Sequence, residues 1–356
     1  MARTTVGIKI GSTSLKFAEL AHSKGKHKLL NLGIEHLAYS EKEGRYPGYT
    51  GLLAQKLQDV VRTNNLNPRR IVTGIQGELV AVRIIRVPYM KDSELRDAVR
   101  WEAEEHLPYP VEDMTISYHV IQRDIMGSQG REMLVVLVGA RIEAVDDLLQ
   151  VFQQAGLSPA VIDVNSLALY NIFENSRGTE GEGTALLNIG HTTSNLLILT
   201  AEHPFLVRDV AFGGDHITRA LAEALSITYV EAETLKRARV PGDAADRLGL
   251  HVTEENISTA VRDSLNELIK EVVRSFEYFA SNKEGSPVVR VTLSGGGAMV
   301  KGMEGFLSEE LEVPVEQLNP FSNVAFVPDR FASILPEMAP LFAVPMGCAL
   351  REISST

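Results

Sequence analysis

The stretch VGIKIGSTSLKFAEL, Val6 to Leu20, predicts a strand, a tight turn and a second strand. Val6, Ile8 and Ile10 alternate with Gly7 and Lys9, which is the period of a half-buried strand. Gly11 opens a turn that a side chain would obstruct, and Ser12, Thr13 and Ser14 place three hydroxyls at its tip. Such a tip is either a cradle for an anion or an ordinary hairpin turn. Half a chain later ALLNIGHTTSNLLIL, Ala185 to Leu199, repeats the pattern. Setting Gly190 on Gly11 aligns Ile189 with Ile10, Thr192 with Thr13 and Leu199 with Leu20, an offset of 179 residues. Those four are the only identities in fifteen positions, but the order is shared: apolar strand, one polar residue, Ile-Gly, a short polar tip, apolar strand. Two halves that open alike point to an internal duplication and favour the anion cradle at both loops.

Composition narrows the class. The chain has 356 residues, 44% of them hydrophobic and 23% charged, enough for more than one core. A net charge of -11 argues against general nucleic-acid binding and against electrostatic adhesion to anionic lipid. A single cysteine, Cys348, excludes an internal disulfide, and the nine histidines show no HExxH spacing. No apolar run approaches 18 residues and the first residues lack a signal-peptide core. The expectation is a cytoplasmic protein without direct membrane insertion, held at a membrane, if at all, by a partner.

Outward from the opening hairpin, residues 5–39 predict three strands with a turn at Ser23 to Lys28, then a polar loop over 40–50 and a helix over 51–64. Two strands follow within 69–87. A compact helix–strand–strand–helix insert is expected between 88 and 160. Its first helix is capped at Asp92 or Ser93 and stops at Leu107-Pro108-Tyr109-Pro110, with Trp101 read mainly as core. Its strands lie near 115–123 and 132–140, and its second helix near 143–155. The polar run Asn175 to Thr184 reads as a linker. After the second hairpin come a strand at 204–212, two helices within 213–239, a loop PGDAADRLGLHV, one long amphipathic helix from Glu254 to Ser281, a strand and Gly loop around Ser294 to Ala298, and a closing helix in PLFAVPMGCALREI. The loop Gly295-Gly296-Gly297 lets backbone approach a flat or phosphorylated ligand, but it has neither GxGxxG nor P-loop spacing.

Two hairpins and a late Gly loop resemble the actin-like ATPases, a duplicated, ribonuclease H-like α/β fold of two lobes. Within that fold, IRVPYMKDSELRDAVRWEAEEHLPYPVEDM, VIDVNSLALY, GGDHITRALAEAL, EAETLKR, SGGGAMVKGMEGFL, LNPF and FAVPMGCALR are similar to the PilM family of type IV pilus assembly proteins, relatives of the cell-division protein FtsA. The resemblance implies four subdomains: 1A from 1–87, 161–180 and 337–356; an FtsA-type 1C insert from 88–160; 2A from 181–213 and 286–336; and 2B from 214–285. It implies ATP or ADP held by Lys9, Gly11, Ser12, Thr13, Ser14 and Lys16, by Asn188, Gly190, His191, Thr192 and Thr193, by Gly213 and Gly214, by Glu233 and Lys236, and by Gly295, Gly296 and Gly297. It also implies a place in the inner-membrane assembly platform of twitching motility. There the chain would bind the cytoplasmic tail of a PilN-type membrane protein between 1A and 1C, beside other platform or motor proteins, with Trp101 and Tyr109 either lining that groove or, for Trp101 above all, packing the insert core.

The sequence departs from the family at two positions. An acid usually precedes the Ile-Gly of each loop and supports hydrated Mg²⁺. Here those positions hold Lys9 and Asn188, so Mg²⁺ loses its expected ligands and hydrolysis its charge support. Three readings stand: Lys9 pairs with a phosphate and nucleotide binds without turnover; the cleft is empty in a scaffold of a pilus or type II secretion-like platform; or another acid restores the metal and an active ATPase. Glu233 and Lys236 either meet ribose and base or form a helix-surface ion pair. Asp163 and Asn165 fall in the segment that positions water in actin-like ATPases, but no residue is assigned a catalytic or metal-binding role.

Overall fold

The computed structural model describes residues 3–23, 26–37, 49–127, 130–177, 183–200, 203–282, 285–332 and 335–351. Most of the expected loop at 40–50, the middle of the linker and the last five residues lie outside them. The chain opens with β1 (Arg3–Ile10), β2 (Ser14–Ser23) and β3 (Lys26–His36), an antiparallel meander. α1 (Tyr49–Thr63) and β4 (Ile71–Ile75) follow, and β4 pairs parallel with β1. α1 lays Leu53, Leu57, Val60 and Val61 against Val6, Ile8 and Leu15 in one cluster.

β5 (Val80–Pro88), α2 (Asp92–His106), β6 (Met114–Gly127), β7 (Gly130–Arg141) and α3 (Ile142–Gln154) build the insert. Its sheet runs β5-β7-β6. The strand expected in the opening lobe before residue 88 is thus part of the insert, because Val80 to Pro88 pair residue by residue with Ala140 to Glu132. α2 covers one face of the sheet with Leu95, Val99 and Ala103. Its cap is Lys91, whose N–H donates to Glu94, not Asp92 or Ser93. Asp92 is drawn instead to Arg123 of β6. Trp101, read as core, is 73% exposed, since it lies opposite the buried stripe.

β8 (Val161–Val164) rejoins the first sheet beside β4, and α4 (Asn165–Arg177) packs beneath it. The second lobe begins with β9 (Thr184–Ile189), β10 (Ser194–Leu199) and β11 (Pro204–Val210), again an antiparallel meander. Helices α5 (Gly214–Leu225), α6 (Tyr229–Arg237), α7 (Pro241–Leu248), α8 (Glu254–Ser264) and α9 (Asn266–Ala280) form its outer layer. Two expectations fail here. The loop after Val240 is the helix α7, with Pro241 at the first turn, where a missing N–H costs nothing. The long helix from Glu254 breaks at Leu265, which is wholly buried and caps one helix while starting the next.

β12 (Arg290–Ser294) pairs parallel with β9, and β13 (Val315–Gln317) with β12, after α10 (Met303–Leu311). The duplication is visible in topology: β3-β2-β1-β4-β8 in one sheet and β11-β10-β9-β12-β13 in the other run in the same order. β14 (Val324–Phe326) then crosses back to pair with β3, so residues around 324, expected in the second lobe, close the first sheet instead. Short helices α11 (Asp329–Ala332) and α12 (Leu335–Met338) lead to α13 (Ala343–Leu350). α13 lies so close to β1 that a Cβ on Gly7 would stand 1.9 Å from the Pro345 carbonyl oxygen. Among the described residues no helix is long and apolar enough to cross a membrane.

Candidate functional site

The duplicated meanders place equivalent turns on the two sides of one cleft. The Gly11 N–H donates to the Ser14 carbonyl at 3.0 Å, and the Gly190 N–H to the Thr193 carbonyl at 3.1 Å. At both turns a small tip is required. A Cβ on Gly190 would lie 2.5 Å from the Thr193 oxygen, and one on Gly11 3.1 Å from that of Ser14. The Gly295 loop closes the cleft from a third side. Gly295 takes φ +88°, where only glycine is unstrained, and its N–H is fixed by the Pro340 carbonyl at 2.9 Å.

Between these loops lies a cavity of about 380 Å³. Fifteen of the expected residues line it: Lys9, Gly11, Ser12, Ser14, Lys16, Asn188, Gly190, His191, Thr192, Gly214, Glu233, Lys236, Gly295, Gly296 and Gly297. Thr13, Thr193 and Gly213 do not. Thr13 gives its carbonyl to the Leu37 N–H, Thr193 lines a different groove, and Gly213 packs on the His191 carbonyl. The sequence reading missed Gln76, Arg237 and the apolar wall of Met299, Met338, Leu341 and Val344. Arg237 was within reach, one residue beyond Lys236, but the wall follows from tertiary packing that no local motif marks.

The cleft is cationic. Lys9 and Lys16 stand directly opposite each other across β1 and β2, so both face the same side of the sheet. Burial lowers the Lys9 ammonium to about 7, with the charge of Lys16 adding to it and Cys348 and Asp209 acting against it. Burial likewise lowers Lys16 to about 8, helped by Arg237. Lys16 donates to the Ser14 hydroxyl at 2.6 Å. His191 is also lowered, by burial first, despite Asp215 nearby.

Asn188 takes the position in the second lobe that Lys9 holds in the first. Its partner across the strands is Asn195, the counterpart of Lys16. Asn188 donates to Asn195 Oδ1 at 3.0 Å, and Asn195 donates to Asp209 Oδ1 at 2.7 Å. Ser294 donates to Asn188 Oδ1 at 3.2 Å. Asp209 then accepts the Gly77 N–H at 2.8 Å, a hydrogen bond from one lobe to the other. Burial raises the Asp209 carboxyl, and these donors and Lys9 oppose the rise. Asp209 is a buried acid behind the cleft that the sequence reading overlooked. Its signal was register: Asp209 faces Asn195 across the sheet.

Glu233 and Lys236 line the cavity but are not a surface pair. Lys236 bonds Glu233 at 2.5 Å, the Gly214 carbonyl at 2.8 Å and the Thr218 hydroxyl at 2.7 Å, which occupies all three of its protons and ties α6 to α5.

Donor chemistry separates nucleotide from metal. The N–H groups of Ser12 and Thr192 have no acceptor among the described residues, and with Lys9, Lys16 and Arg237 they offer an anion both amides and charge. A phosphorylated ligand fits. The carboxylates in and beside the cleft are engaged within the protein: Asp209 through both oxygens, Asp163 by Arg351 and the Val164 N–H, and Glu233 by Lys236, Thr218 and Arg237. Among the described residues the one cluster of metal-ligand type, Glu102, Glu105 and His106, is on α2, and none of its members lines the cleft.

A second groove, of about 260 Å³, lies between the insert and the lobes, lined by Gly77, Val80 to Arg83, Pro108, Val164, Ser166, Val207 and Asp209 among others. The Ser166 hydroxyl on its wall is buried and has no hydrogen-bond partner among the described residues.

A sequence family described as "Type IV pilus assembly protein PilM" matches residues 7–353. The solved PilM-PilN type IV pilus biogenesis complex contains a chain with 30% identity and a TM-score of 0.80, with 98% of each chain covered. The ethanolamine utilization protein EutJ from Carboxydothermus hydrogenoformans is similar at 14% identity and TM-score 0.58, over 98% of this chain and 90% of its own. A MamK double helical filament matches at 14% identity and TM-score 0.51, over 98% of each chain. The fold is that of the actin-like ATPases.

Proposed function

Since the chain belongs to the type IV pilus assembly protein PilM family, we propose that it is a nucleotide-holding, non-hydrolysing adaptor of the pilus assembly platform. The observation that carries this reading is the facing pair Lys9 and Lys16 on the wall of a Gly-rich, amide-lined cleft. An ammonium at Lys9 takes the role of a bound cation beside a polyphosphate, so ATP or ADP binds without Mg²⁺. Without a metal bridging the phosphate oxygens and a carboxylate to place the attacking water, the fixed ammoniums stabilise the bound ground state as much as the transition state, and the nucleotide stays intact. This chain's residues bind and orient: Ser12 and Thr192 amides on the phosphates, Lys9 and Lys16 as counter-charge, and the Gly295 loop with Leu341 along the nucleoside. The partner is a PilN-type membrane protein, as in the related complex, and its cytoplasmic tail lies in the groove beside Val80 and Ser166. Recruitment by this tail brings the adaptor to the membrane.

Titration of labelled ATP in EDTA and in Mg²⁺ tests the nucleotide reading. Equal affinity in both, at least tenfold weaker binding by Lys9→Ala, and no phosphate release above buffer are expected. Binding that requires Mg²⁺, or turnover, overturns it. A nucleotide-free scaffold is favoured by one observation, the direct Gly77–Asp209 bond between the lobes, and no binding at millimolar ATP would select it.

A further inference from the structure

The insert presents a helix face with no partner among the described residues, and it carries the only tryptophan in the chain. α2 buries Leu95, Val99 and Ala103 against the insert sheet. Trp101 points the other way and is 73% exposed. Tryptophan is among the residues that most often anchor interfaces, and this one sits in a sector of a single charge sign. At about 100° of rotation per residue, every ionisable side chain within about 60° of Trp101 is an acid: Glu94, Asp97, Glu104 and Glu105. Arg96 and Arg100 of the same helix lie outside that sector. Asp97 and Glu104 have no ion-pair partner among the described residues.

We propose that this face holds the basic juxtamembrane segment of the PilN-type partner, with a lysine or arginine over the Trp101 ring and its neighbours paired to Asp97, Glu104 and Glu105. The proposal rests on the platform reading above. Three arguments converge on this occupant. Residues on the cytoplasmic flank of a membrane span carry an excess of lysine and arginine. An indole is the preferred aromatic seat for such a cation, and an acidic rim adds charge complementarity. The face also continues the tail groove. Pro108 lines that groove and stands two residues past the end of α2. The path from Pro108 back to Trp101 is at most about 15 Å, which about five extended residues span. A tail leaving the groove at Pro108 therefore passes over Glu105 and Glu104 to reach the ring. The acidic rim also disfavours anionic lipid as the occupant.

Trp101 reports on its own occupancy. The probes are two labelled peptides: the cytoplasmic tail of the PilN-type protein from the same organism up to its first membrane residue, and the same tail cut before its juxtamembrane basic residues. Affinities are read by anisotropy on the full chain, and Trp101 emission alongside. The long tail should bind about tenfold tighter than the short one and alter Trp101 emission, while the short tail binds and leaves emission unchanged. The triple variant Asp97→Lys, Glu104→Lys, Glu105→Lys should reduce the long tail to the affinity of the short one. It should leave the short tail's affinity intact, which shows that the variant is folded. Equal affinities with unmoved emission would overturn the proposal and leave the platform reading standing. A shift of emission on phosphatidylcholine vesicles but not on the long tail would overturn it in favour of a lipid contact. If neither tail binds, the platform reading fails and the proposal with it.

Discussion

Lys9 is held where its charge is costly. Burial and the facing Lys16 lower its ammonium to about 7, against 10.5 for a free lysine, and Lys16 is lowered to about 8. The unfolded chain therefore binds more protons than the folded one between pH 7 and 10.5. Ligand-free stability should rise with pH across that window, because a depressed lysine penalises folding only while it is charged. Lys9→Met should raise Tm at pH 7 by a few degrees, with the gap to the wild type closing by pH 10 in thermal scans. A bound polyphosphate reverses the preference, since it favours both charged forms. ATP affinity should then be greatest below pH 7 and fall from pH 7 to 9 in isothermal titration, with proton uptake on binding. Lys9 was legible in the sequence as an anomaly, one residue before Ile10-Gly11. The burial that tunes it was not, because it depends on α13, far away in the chain, stacking over β1.

Elements that carry local periodicity were read correctly, and those settled by partners were not. The two hairpins, the helix stop at Leu107 and the Gly295 loop announce themselves through alternation, proline or glycine. β5 has the pattern of any strand, and only its pairing with β7 assigns it to the insert. The break between α8 and α9 is hidden because Leu265 continues the apolar stripe and differs only in being the capping residue. The Gly295 loop carries the sharpest consequence at this scale. A Cβ there would stand 2.4 Å from the Ile189 carbonyl and 2.8 Å from Asn188 Oδ1, on a backbone at φ +88°. Gly295→Ala should cost about 2–4 kcal/mol in urea unfolding, the sum of left-handed strain and overpacking. It should also weaken ATP binding, because relief of the clash moves the loop away from Asn188. Gly305→Ala, inside α10 where a Cβ meets nothing, should by contrast stabilise by about 0.5–1 kcal/mol.

For the whole molecule, the Ser294–Asn188–Asn195–Asp209–Gly77 chain runs from the floor of the second lobe to the edge of the first. Asp209 borders the groove between the insert and the lobes and attracts Lys9 in the Gly-rich cleft, so it stands in the wall shared by both. Asp209→Ala leaves the Gly77 and Asn195 donors unmatched and should destabilise by about 2–4 kcal/mol. Faster hydrogen exchange at the Gly77 amide is the expected readout, and an unchanged rate would show that the lobes are held together elsewhere. The path of the chain has a further consequence, in time rather than in space. Every strand of the second sheet comes from residues 184–317, a contiguous length that a ribosome delivers in one run. The first sheet waits: its edge strand β14 and its covering helix α13 arrive only after residue 323. During synthesis the later lobe can therefore close first, while the earlier one keeps an open edge until β14 pairs and an uncovered face until α13 docks, which makes it the more aggregation-exposed half.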